Sequence, residues 1–365
     1  MDVMQELLDY KKIADPKINE FFDDKIKEIE DPNNFYSKLT YFLKEYTGRG
    51  GKRIRPALVY QGHRLFADGS NLDEDYIKEL IILSIATELK QAYYLAHDDY
   101  IDKSDERRGG PSMHKMLEAW YMTQDGISTE DAIHQGKSMA ILAGDLANTF
   151  AENIIFKSTL PKDKKYAVLE RLNNTDISTL HGQVLDVHSG ITPEMSTEEE
   201  LLNIHLLKSA VYTVESPLLI GAELAGANKE QLEILSEYAL LVGKAFQVHD
   251  DNLGLFGDEE KLGKPADSDL KEGKKTLLII KALEKAEALE RNVIYYCLGN
   301  QDIDSDMIED VRDIVRSTGS LDYSVNLAKN LISESKEYLN QLEDVNPKAK
   351  EFLLAFADYM VARKY

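Results

Sequence analysis

The chain has 365 residues, of which 43% are hydrophobic and 30% are charged, so it is long enough to bury a large apolar core. Its formal net charge of −22 argues against nucleic acid or an anionic membrane surface as a partner. Cys297 is the only cysteine, which excludes an intrachain disulfide framework and is typical of proteins from the reducing cytosol.

The N-terminal segment, MDVMQELLDYKK, lacks the basic start and the apolar stretch of a secretory signal peptide. The most apolar stretch, LIILSIATELKQAYYLA, is interrupted by Glu88, Lys90 and Gln91, so it does not have the pattern of a membrane-spanning helix. We therefore expect a cytoplasmic protein without stable membrane insertion.

Apolar residues recur mainly at helical spacing, whereas the alternation typical of strands is scarce. The nine prolines are spread thinly, so long helices can run without interruption. The sequence therefore predicts an all-α fold. The predicted helices are 2–29, 34–46, 54–67, 74–103, 131–158, 164–189, 197–225, 229–255, 274–290, 305–317, 321–341 and 347–363.

Two segments between these helices are predicted to be loops. TQDGISTEDAIHQG (123–136) has the polar composition of a surface loop. GDEEKLGKPADSDLKEGKK (257–275) combines glycine and proline with many charges. Because the second segment directly follows an acidic pair, a lid that closes on a bound phosphate would be useful at this place in the chain.

The first basic motif, GRGGKRIRP (48–56), is predicted to open a helix. Lys52, Arg53 and Arg55 stand beside a glycine turn, so charged side chains and backbone N–H groups can face a phosphate together. A basic helix start is common, and the motif alone is therefore weak evidence. RRGGPSMH (107–114) is a second segment of the same kind.

The first acidic cluster reads HDDYIDKSDERRGG (97–110). Asp98 and Asp102 are four residues apart and therefore share one face of the predicted helix. They fall at its C-terminal end, where the helix dipole is negative, so the cluster is unfavourable unless cations occupy it. The alternative is a solvated acidic surface that Arg107 and Arg108 neutralise.

The second acidic cluster reads FQVHDDNLG (246–254) and repeats this arrangement. Phe246 and Gln247 precede Asp250 by four and three residues, and Asp251 follows it. The helix that leads to the cluster, EYALLVGKAFQVHDD, is apolar on all sides, as expected for a buried helix. The alternative is an ordinary structural helix end.

The residues that precede these aspartates also follow helical spacing. Gln91 lies about two turns and Tyr94 about one turn before Asp98, so an amide, an aromatic ring and carboxylates form one stripe. His97 and His249 each directly precede an acidic pair. We favour packing or orientation over metal ligation for both histidines.

Cations follow both acidic clusters: Arg107 and Arg108 follow the first, and Lys264 and Lys274 follow the second. Carboxylates with nearby cations are typical of sites for a metal-bridged polyanion, usually a diphosphate, and the repeat predicts a diphosphate held from two sides. Mg²⁺ is the predicted metal because it prefers oxygen ligands and bridges carboxylates to substrate phosphates. Zinc is disfavoured because there is no cysteine cluster and the histidines lack zinc-type spacing.

The motifs, and their order along the chain, resemble those of the trans-isoprenyl diphosphate synthases. These are the all-helical polyprenyl synthetases that make farnesyl and geranylgeranyl diphosphate. The resemblance covers about 48–280. It implies one domain over 1–365, built as a large bundle of about ten or more helices around a central cavity, and a homodimer. The matching segments are GGKRIRP, ELKQAYYLAHDDYID, RRGGPSMH, ILAGDLA (141–147), GQVLD (182–186), KSAVYTVESPL (208–218), FQVHDDNLG and GKPADSDLKEGKKT.

The resemblance also implies roles for single residues. Asp98 and Asp102 would bind two Mg²⁺ ions and Asp250 a third, with Asp99 and Asp251 supporting these sites. The allylic diphosphate would be contacted by Arg107, Lys208, Gln247, Lys264 and Lys274. Isopentenyl diphosphate would be held by Gly51, Lys52, Arg55, Gln91 and Arg108, with Phe246 against its isoprenyl part.

The implied chemistry is the ionisation of an allylic diphosphate with magnesium, followed by head-to-tail attack of the isopentenyl double bond on the carbocation and loss of a proton. Lys208, Ser209 and Gln247 would stabilise positive charge near the breaking C–O bond, and Arg107 would act on the same diphosphate. Ser209 stands where the family usually has threonine. The surrounding pocket is expected to be apolar and closed, since water would quench the cation.

Product length in this family is limited by the residues four and five positions before the first aspartate, here Tyr94 and Tyr93. Two aromatic residues at these positions resemble the farnesyl-type enzymes, so the predicted product is C15, with C20 as the alternative. The other possibility is that both tyrosines only pack in a core. The second acidic motif departs from the family pattern, because Gly254 stands where the family usually has aspartate.

Two other functions fit parts of the pattern. A terpene cyclase also uses aspartates and magnesium, but it does not need the isopentenyl diphosphate motif GGKRIRP, and its second motif is of a different type. A non-catalytic regulatory subunit of a prenyl synthase belongs to another class. Such subunits tend to lose one acidic cluster or its cations, and turnover by the purified chain would distinguish the two.

Overall fold

Helices make up nearly all regular structure in the computed structural model, which describes residues 1–31, 34–67, 74–192, 194–257 and 268–362. The all-α prediction is confirmed. The helices are α1 (Val3–Lys27), α2 (Phe35–Gly48), α3 (Ile54–Phe66), α4 (Glu74–Ile101), α5 (Met113–Met122), α6 (Thr129–Lys157), α7 (Lys162–Ile191), α8 (Glu198–His205), a π-helix (Leu206–Glu215), α9 (Ser216–Leu224), α10 (Lys229–Phe256), α11 (Ser268–Lys271), α12 (Leu277–Lys285), α13 (Ala288–Cys297), α14 (Ser305–Ser317), α15 (Ser320–Asn340) and α16 (Pro347–Met360).

The first of two compact units is Asp2–Glu170, and helix α4 lies at its centre. Helices α1, α2, α3, α5 and α6 all pack on α4, which explains why α4 has buried residues on every side. Gly136 allows α5 and α6 to approach closely, since a Cβ atom there would lie 2.7 Å from the backbone nitrogen of Glu118. The unit also contains a short antiparallel hairpin, in which β1 (Glu106–Arg107) pairs with β2 (Gly110–Pro111).

The second unit spans Arg171–Tyr365, and helix α10 is its buried centre. Helix α15, the π-helix and α9 pack on it, together with α8, α11, α12 and α16. Gly243 of α10 brings the π-helix close, because a Cβ atom at this position would lie 2.5 Å from Cα of Ala210. Over the described residues of both units, no helix is both long enough and apolar enough to cross a bilayer.

Several predictions of local structure are wrong, and one helix was missed. The predicted loop at 123–136 is helical from residue 129, because the Ser128 side chain accepts a hydrogen bond from the Asp131 backbone nitrogen (3.1 Å) and caps α6. Helix α5 was not predicted, although the buried Met113, Met116 and Leu117 follow helical spacing.

Two further errors concern predicted continuous helices. The segment 197–225 consists of α8, the π-helix and α9. The segment 274–290 is divided into α12 and α13, because a capping box between Glu287 and Glu290 begins a new helix. Of the predicted loop at 257–275, the part 258–267 lies outside the described residues, and Ser268–Lys271 forms the short helix α11.

Candidate active site

Three carboxylates lie at the C-terminal end of α4, and they differ in exposure. Asp98 is partly exposed on the last turn of the helix. Asp102 directly follows the helix, donates its backbone N–H to the Asp98 carbonyl (2.8 Å) and is partly exposed too. Asp99 has no solvent exposure and accepts hydrogen bonds from Tyr46 Oη (2.6 Å) and Arg107 Nε (2.7 Å). Burial raises the pKa of Asp99 above its usual range, although Arg107 and Tyr46 oppose that effect. Asp99 therefore braces the end of α4 from inside, and Asp98 and Asp102 remain accessible from outside.

Arg107 links this end of α4 to the hairpin. Its guanidinium pairs with Asp99 and lies 3.8 Å from Asp98 Oδ2. The next two residues, Arg108 and Gly109, have φ angles of +53° and +70°, which let the chain reverse in a two-residue turn. The turn thus places two successive arginines beside the acidic cluster. Sequence reasoning missed the hairpin, because strands of two residues leave no periodic pattern.

The hairpin also brings Arg108 to the GRGGKRIRP motif. A Cβ atom at Gly51 (φ +75°) would lie 3.2 Å from Arg108 Nη1, so glycine gives the guanidinium room against the loop backbone. Burial lowers the pKa of Arg108, and the nearby Arg55 adds to the effect by charge repulsion. Two close arginines form a site that favours an anion.

Gln91 joins this basic cluster from the middle of α4. It lines one small cavity together with Arg107 and Arg108, and the cavity wall also includes Tyr46 and Glu88. The structure therefore brings together Gln91, Arg108 and Gly51, which the resemblance assigns to isopentenyl diphosphate.

Arg53 is not available as a phosphate ligand, contrary to its predicted place in the basic motif. Its side chain is 1% exposed and donates to Glu88 Oε2 (2.8 Å) and Asp15 Oδ1 (2.7 Å). It also donates to the backbone carbonyls of Thr47 (3.0 Å) and Gly48 (3.1 Å). Arg53 therefore fixes the loop between α2 and α3 through contacts on its buried side. Lys52 and the buried Arg55 remain the candidates for direct contact with a phosphate.

The buried role of Arg53 leads to a prediction about stability. We expect Arg53→Ala to lower the free energy of unfolding by about 3–5 kcal/mol, because Glu88 would be left as a buried charge without its partner. Urea denaturation followed by circular dichroism measures this change. The partly exposed Lys52 supplies the control, since Lys52→Ala should change the value by no more than about 0.5 kcal/mol. An equal, small effect of both variants would contradict the anchoring role.

The aromatic pair that precedes the first cluster is buried in α4. Tyr93 and Tyr94 are each 8% exposed, and their ring centroids are 5.0 Å apart. They lie about one helical turn before Asp98. The pair is therefore buried one turn from the first acidic cluster, and its role as a floor stays a prediction.

In the second unit, the end of α10 presents its two aspartates differently. Asp250 is partly exposed, whereas Asp251 is 8% exposed. Asp251 accepts a hydrogen bond from Gln247 Nε2 (3.1 Å) and lies 3.2 Å from His205 Nε2. Sequence reasoning missed His205, although it stands only three residues before Lys208. Asp251 resembles Asp99 in being held by neighbouring side chains, and Phe246 lies partly buried on the same helix.

Lys208 and Ser209 lie on the π-helix, a conformation that often marks functional sites. Lys208 Nζ donates to Asp186 Oδ2 of α7 (2.5 Å). A Cβ atom at Gly182 would overlap the backbone nitrogen of Lys208, so this glycine lets α7 and the π-helix touch. Asp186 is a second residue that sequence reasoning missed, even though it ends the GQVLD motif.

The structure supplies a carboxylate beside Gly254. A Cβ atom at Gly254 would overlap Asp269 Oδ2, and Asp269 is 9% exposed. A carboxylate from α11 thus occupies the space beside Gly254 where an aspartate of α10 would stand. Lys274 Nζ lies 3.8 Å from Asp269 Oδ1 and 2.7 Å from Glu272 Oε2. Lys264 lies outside the described residues.

The carboxylates fit magnesium better than a metal held by protein alone. In the part of the chain that the structure describes, no three side chains of His, Cys, Asp or Glu converge as a closed metal site. Mg²⁺ is usually held through one or two carboxylates together with substrate phosphates and water. Asp98 and Asp102, partly exposed at the end of α4, provide such a donor set.

Comparisons with known proteins identify the family of the chain. The family model for polyprenyl synthetase matches residues 36–315. The chain is 33% identical over 342 residues to a geranylgeranyl diphosphate synthase of Methanosarcina mazei, covering 94% of each chain. It is also 33% identical to a short chain isoprenyl diphosphate synthase of Methanocaldococcus jannaschii, over 86% of this chain and 85% of that one.

Among solved structures, the chain is similar to a geranylgeranyl pyrophosphate synthase from Corynebacterium glutamicum complexed with isoprenyl diphosphate and magnesium. The TM-score is 0.90 at 28% identity, and the match covers 97% of this chain and 99% of the other. The family model covers well over half of the sequence, and relatives above 30% identity span nearly all of it. The chain therefore belongs to the polyprenyl synthetase family and is a prenyltransferase.

Proposed function

We propose that this prenyltransferase condenses isopentenyl diphosphate head-to-tail with an allylic diphosphate and that its main product is geranylgeranyl diphosphate (C20). The observation that carries the proposal is the pair of acidic helix ends, α4 and α10, each with one buried and one accessible aspartate. Arg107 pairs with the first cluster, and Lys274 lies 3.8 Å from Asp269, which packs on Gly254 of the second. The relative from Methanosarcina mazei is named a geranylgeranyl diphosphate synthase, and its match to this chain covers 94% of its length. This relative supports a C20 product.

The C15 product predicted from the tyrosine pair is not what the relatives' names support, because they favour the C20 alternative. One specific observation still favours C15 as a second candidate. Tyr93 and Tyr94 are both buried and in contact, as a floor close to Asp98 would require. The length of the product therefore has to be measured.

On the acidic side, Asp98, Asp102 and Asp250 are the proposed ligands of three Mg²⁺ ions, and Asp99 and Asp251 hold the helix ends that present them. When bound, magnesium neutralises charge on the leaving diphosphate and so favours ionisation of the allylic C–O bond. Asp99 and Asp251 suit the supporting role because neighbouring side chains already engage both.

On the basic side, the proposed contacts of the allylic diphosphate are Arg107, Lys208, Gln247, Lys264 and Lys274. Lys208 exchanges its carboxylate partner, Asp186, for a diphosphate oxygen in this proposal. Ser209, together with Lys208 and Gln247, is proposed to stabilise the positive charge near the breaking C–O bond. Isopentenyl diphosphate is held by Gly51, Lys52, Arg55, Gln91 and Arg108, and Phe246 packs on its isoprenyl part.

A product assay tests the proposal. The purified chain is incubated with isopentenyl diphosphate, Mg²⁺ and, in turn, dimethylallyl, geranyl and farnesyl diphosphate, and the dephosphorylated prenols are separated by length. We expect growth to stop at C20. A stop at C15 would mean that Tyr94 as well as Tyr93 limits the product. A folded chain that gives no condensation with any starter would favour the non-catalytic subunit.

We also propose a homodimer, and an apolar stripe on α7 supports it. Five apolar residues recur at spacings of three and four, as in a helix that pairs with another helix, and each is at least 40% exposed. A continuous apolar stripe of this kind is unfavourable in water unless a partner covers it. The stripe consists of Ile177, Leu180, Val184, Val187 and Ile191.

The stripe gives a prediction about assembly. We expect the double variant Ile177→Glu, Val184→Glu to be a monomer, because two buried carboxylates would face the same stripe of the second copy. Size-exclusion chromatography with light scattering measures the mass. Leu289→Glu is the matched control, since Leu289 is an exposed apolar residue (80%) on α13. A double variant that keeps the parent's dimeric mass would rule out this stripe as the interface.

A cytoplasmic location is the last part of the proposal. The single cysteine, Cys297, is buried in the second unit, and burial raises the pKa of its thiol. A buried thiol of this kind has no partner for a disulfide within the chain and is compatible with a reducing compartment.

A further inference from the structure

His97 is a residue of α4, and its ring lies against α6. The sequence predicted a packing or orienting role for this residue. Its ring meets Tyr93 edge to face, with centroids 5.0 Å apart and an angle of 74° between the ring planes. Its Nε2 lies 3.0 Å from the carbonyl oxygen of Ile141 and 3.5 Å from Asp145 Oδ1. Both neighbours of Nε2 are acceptors, so Nε2 carries a proton and donates it. The ring is thus fixed from α6 and directed at Tyr93.

Gly144 leaves the space on α6 that the His97 ring occupies. A Cβ atom at Gly144 would lie 2.7 Å from both Cδ2 and Nε2 of His97 and 3.3 Å from the carbonyl oxygen of Tyr93. Any larger residue would push the imidazole from its hydrogen bond to Ile141 or press α6 away from α4. The glycine therefore decides where the His97 ring can lie.

Three rings of α4 lie in contact. The ring centroid of Tyr93 lies 5.0 Å from that of Tyr94 and 5.0 Å from that of His97. Tyr93 thus packs against two rings of its own helix. Loss of the imidazole would remove one of these contacts and give the Tyr93 ring more freedom to turn.

We propose that His97, seated by Gly144 and by the Ile141 carbonyl, braces Tyr93 and thereby limits how long the prenyl product grows. This inference rests on the proposed function, because it assigns a specificity role within that same reaction. His97 is a positioning residue, since it acts through Tyr93 and does not touch the reacting atoms. Loss of the brace lets Tyr93 turn aside and admits a longer tail.

The test compares product lengths of the purified full-length chain and its variants under identical conditions. We expect His97→Ala to raise the ratio of longer product to main product by roughly 2- to 12-fold, which corresponds to the strength of one aromatic pair. Gly144→Ala should shift the ratio in the same direction. The controls are His134→Ala, an exposed histidine of α6, and Gly190→Ala, where a Cβ atom has open space; both should keep the parent's ratio.

Two further variants make the result specific. The double variant Tyr93→Ala, His97→Ala should give the same products as Tyr93→Ala alone, since the histidine acts only through that ring. His97→Gln keeps a donor for Ile141 but removes the ring, so it should fold and still lengthen the product. The kcat/KM for isopentenyl diphosphate should stay within about twofold in His97→Gln, which a general loss of structure would not allow.

Unchanged product lengths in folded His97→Gln and Gly144→Ala would overturn the proposal, and so would additional lengthening in the double variant beyond Tyr93→Ala. Failure of the proposed function has a different signature. In that case the parent chain itself would form no prenyl product from any allylic starter.

Discussion

Asp98→Asn is expected to reduce kcat by about 10²- to 10³-fold, which is the usual cost of removing one group that stabilises charge in the transition state. Asparagine preserves the size of the side chain but removes its negative charge. Asp98 is partly exposed beside Asp102 at the end of α4, so the exchange should leave the fold intact. We expect the midpoint of the Mg²⁺ titration to rise together with the loss in kcat.

Initial rates at saturating substrates over a Mg²⁺ titration measure both effects. Asp105→Asn is the control, because Asp105 follows in the same segment and its side chain is 71% exposed. It should keep kcat within about twofold. If Asp98→Asn kept kcat within threefold of the parent at every Mg²⁺ concentration, Asp98 would not be a ligand of an essential ion.

A comparison with Asp99→Asn separates ligation from support. Asp99 is buried against Arg107 and Tyr46, so loss of its charge should lower the free energy of unfolding by about 3–5 kcal/mol. Asp98→Asn should leave that free energy nearly unchanged. The two neighbouring aspartates would then lose activity for different physical reasons, which denaturation curves would show.

Gly254→Asp, which restores the family's usual aspartate, is expected to reduce activity about 10- to 100-fold, the typical effect of disturbing groups around a metal site. The new side chain would need the volume that the Asp269 carboxylate occupies. Two carboxylates in that space would also repel each other. Overpacking of this kind costs about 1–3 kcal/mol of stability.

The exchange Gly254→Asp, Asp269→Gly provides the decisive comparison, because it moves the carboxylate from α11 to α10 and removes the clash. We expect it to recover most of the activity that Gly254→Asp loses. Gly190→Asp is the matched control, since a side chain there has open space. Activity of Gly254→Asp at or above the parent's level would show that Asp269 does not take the place of the missing acid.

The parts of the site that could be predicted from sequence are those in which spacing along one helix determines position. Asp98 and Asp102 come together at the C-terminal end of α4 because they are four residues apart. The burial of α10 followed from a sequence that is apolar on all sides before Asp250. The all-α fold followed from the same helical periodicity. These inferences need no knowledge of which segments meet in space.

What could not be predicted depends on contacts between distant segments. Arg53 stands in the same basic motif as Lys52 and Arg55, and only the distant Glu88 and Asp15 show that it points inward. The π-helix has an ordinary helical pattern of apolar residues, and its close approach to α7 depends on Gly182.

Lys208 and Asp186 form one of several pairs of a cation and a carboxylate, and these pairs influence which ligand can bind. Arg107 pairs with Asp99, and Lys274 pairs with Glu272. Each of these cations is thus already paired with a carboxylate of the protein. A phosphate group that binds one of them has to replace that carboxylate. A lone phosphate would have to displace a carboxylate and leave it uncompensated. A diphosphate that arrives with magnesium brings the cations that those released carboxylates need, and the metal-loaded substrate is therefore the ligand that such pairs favour.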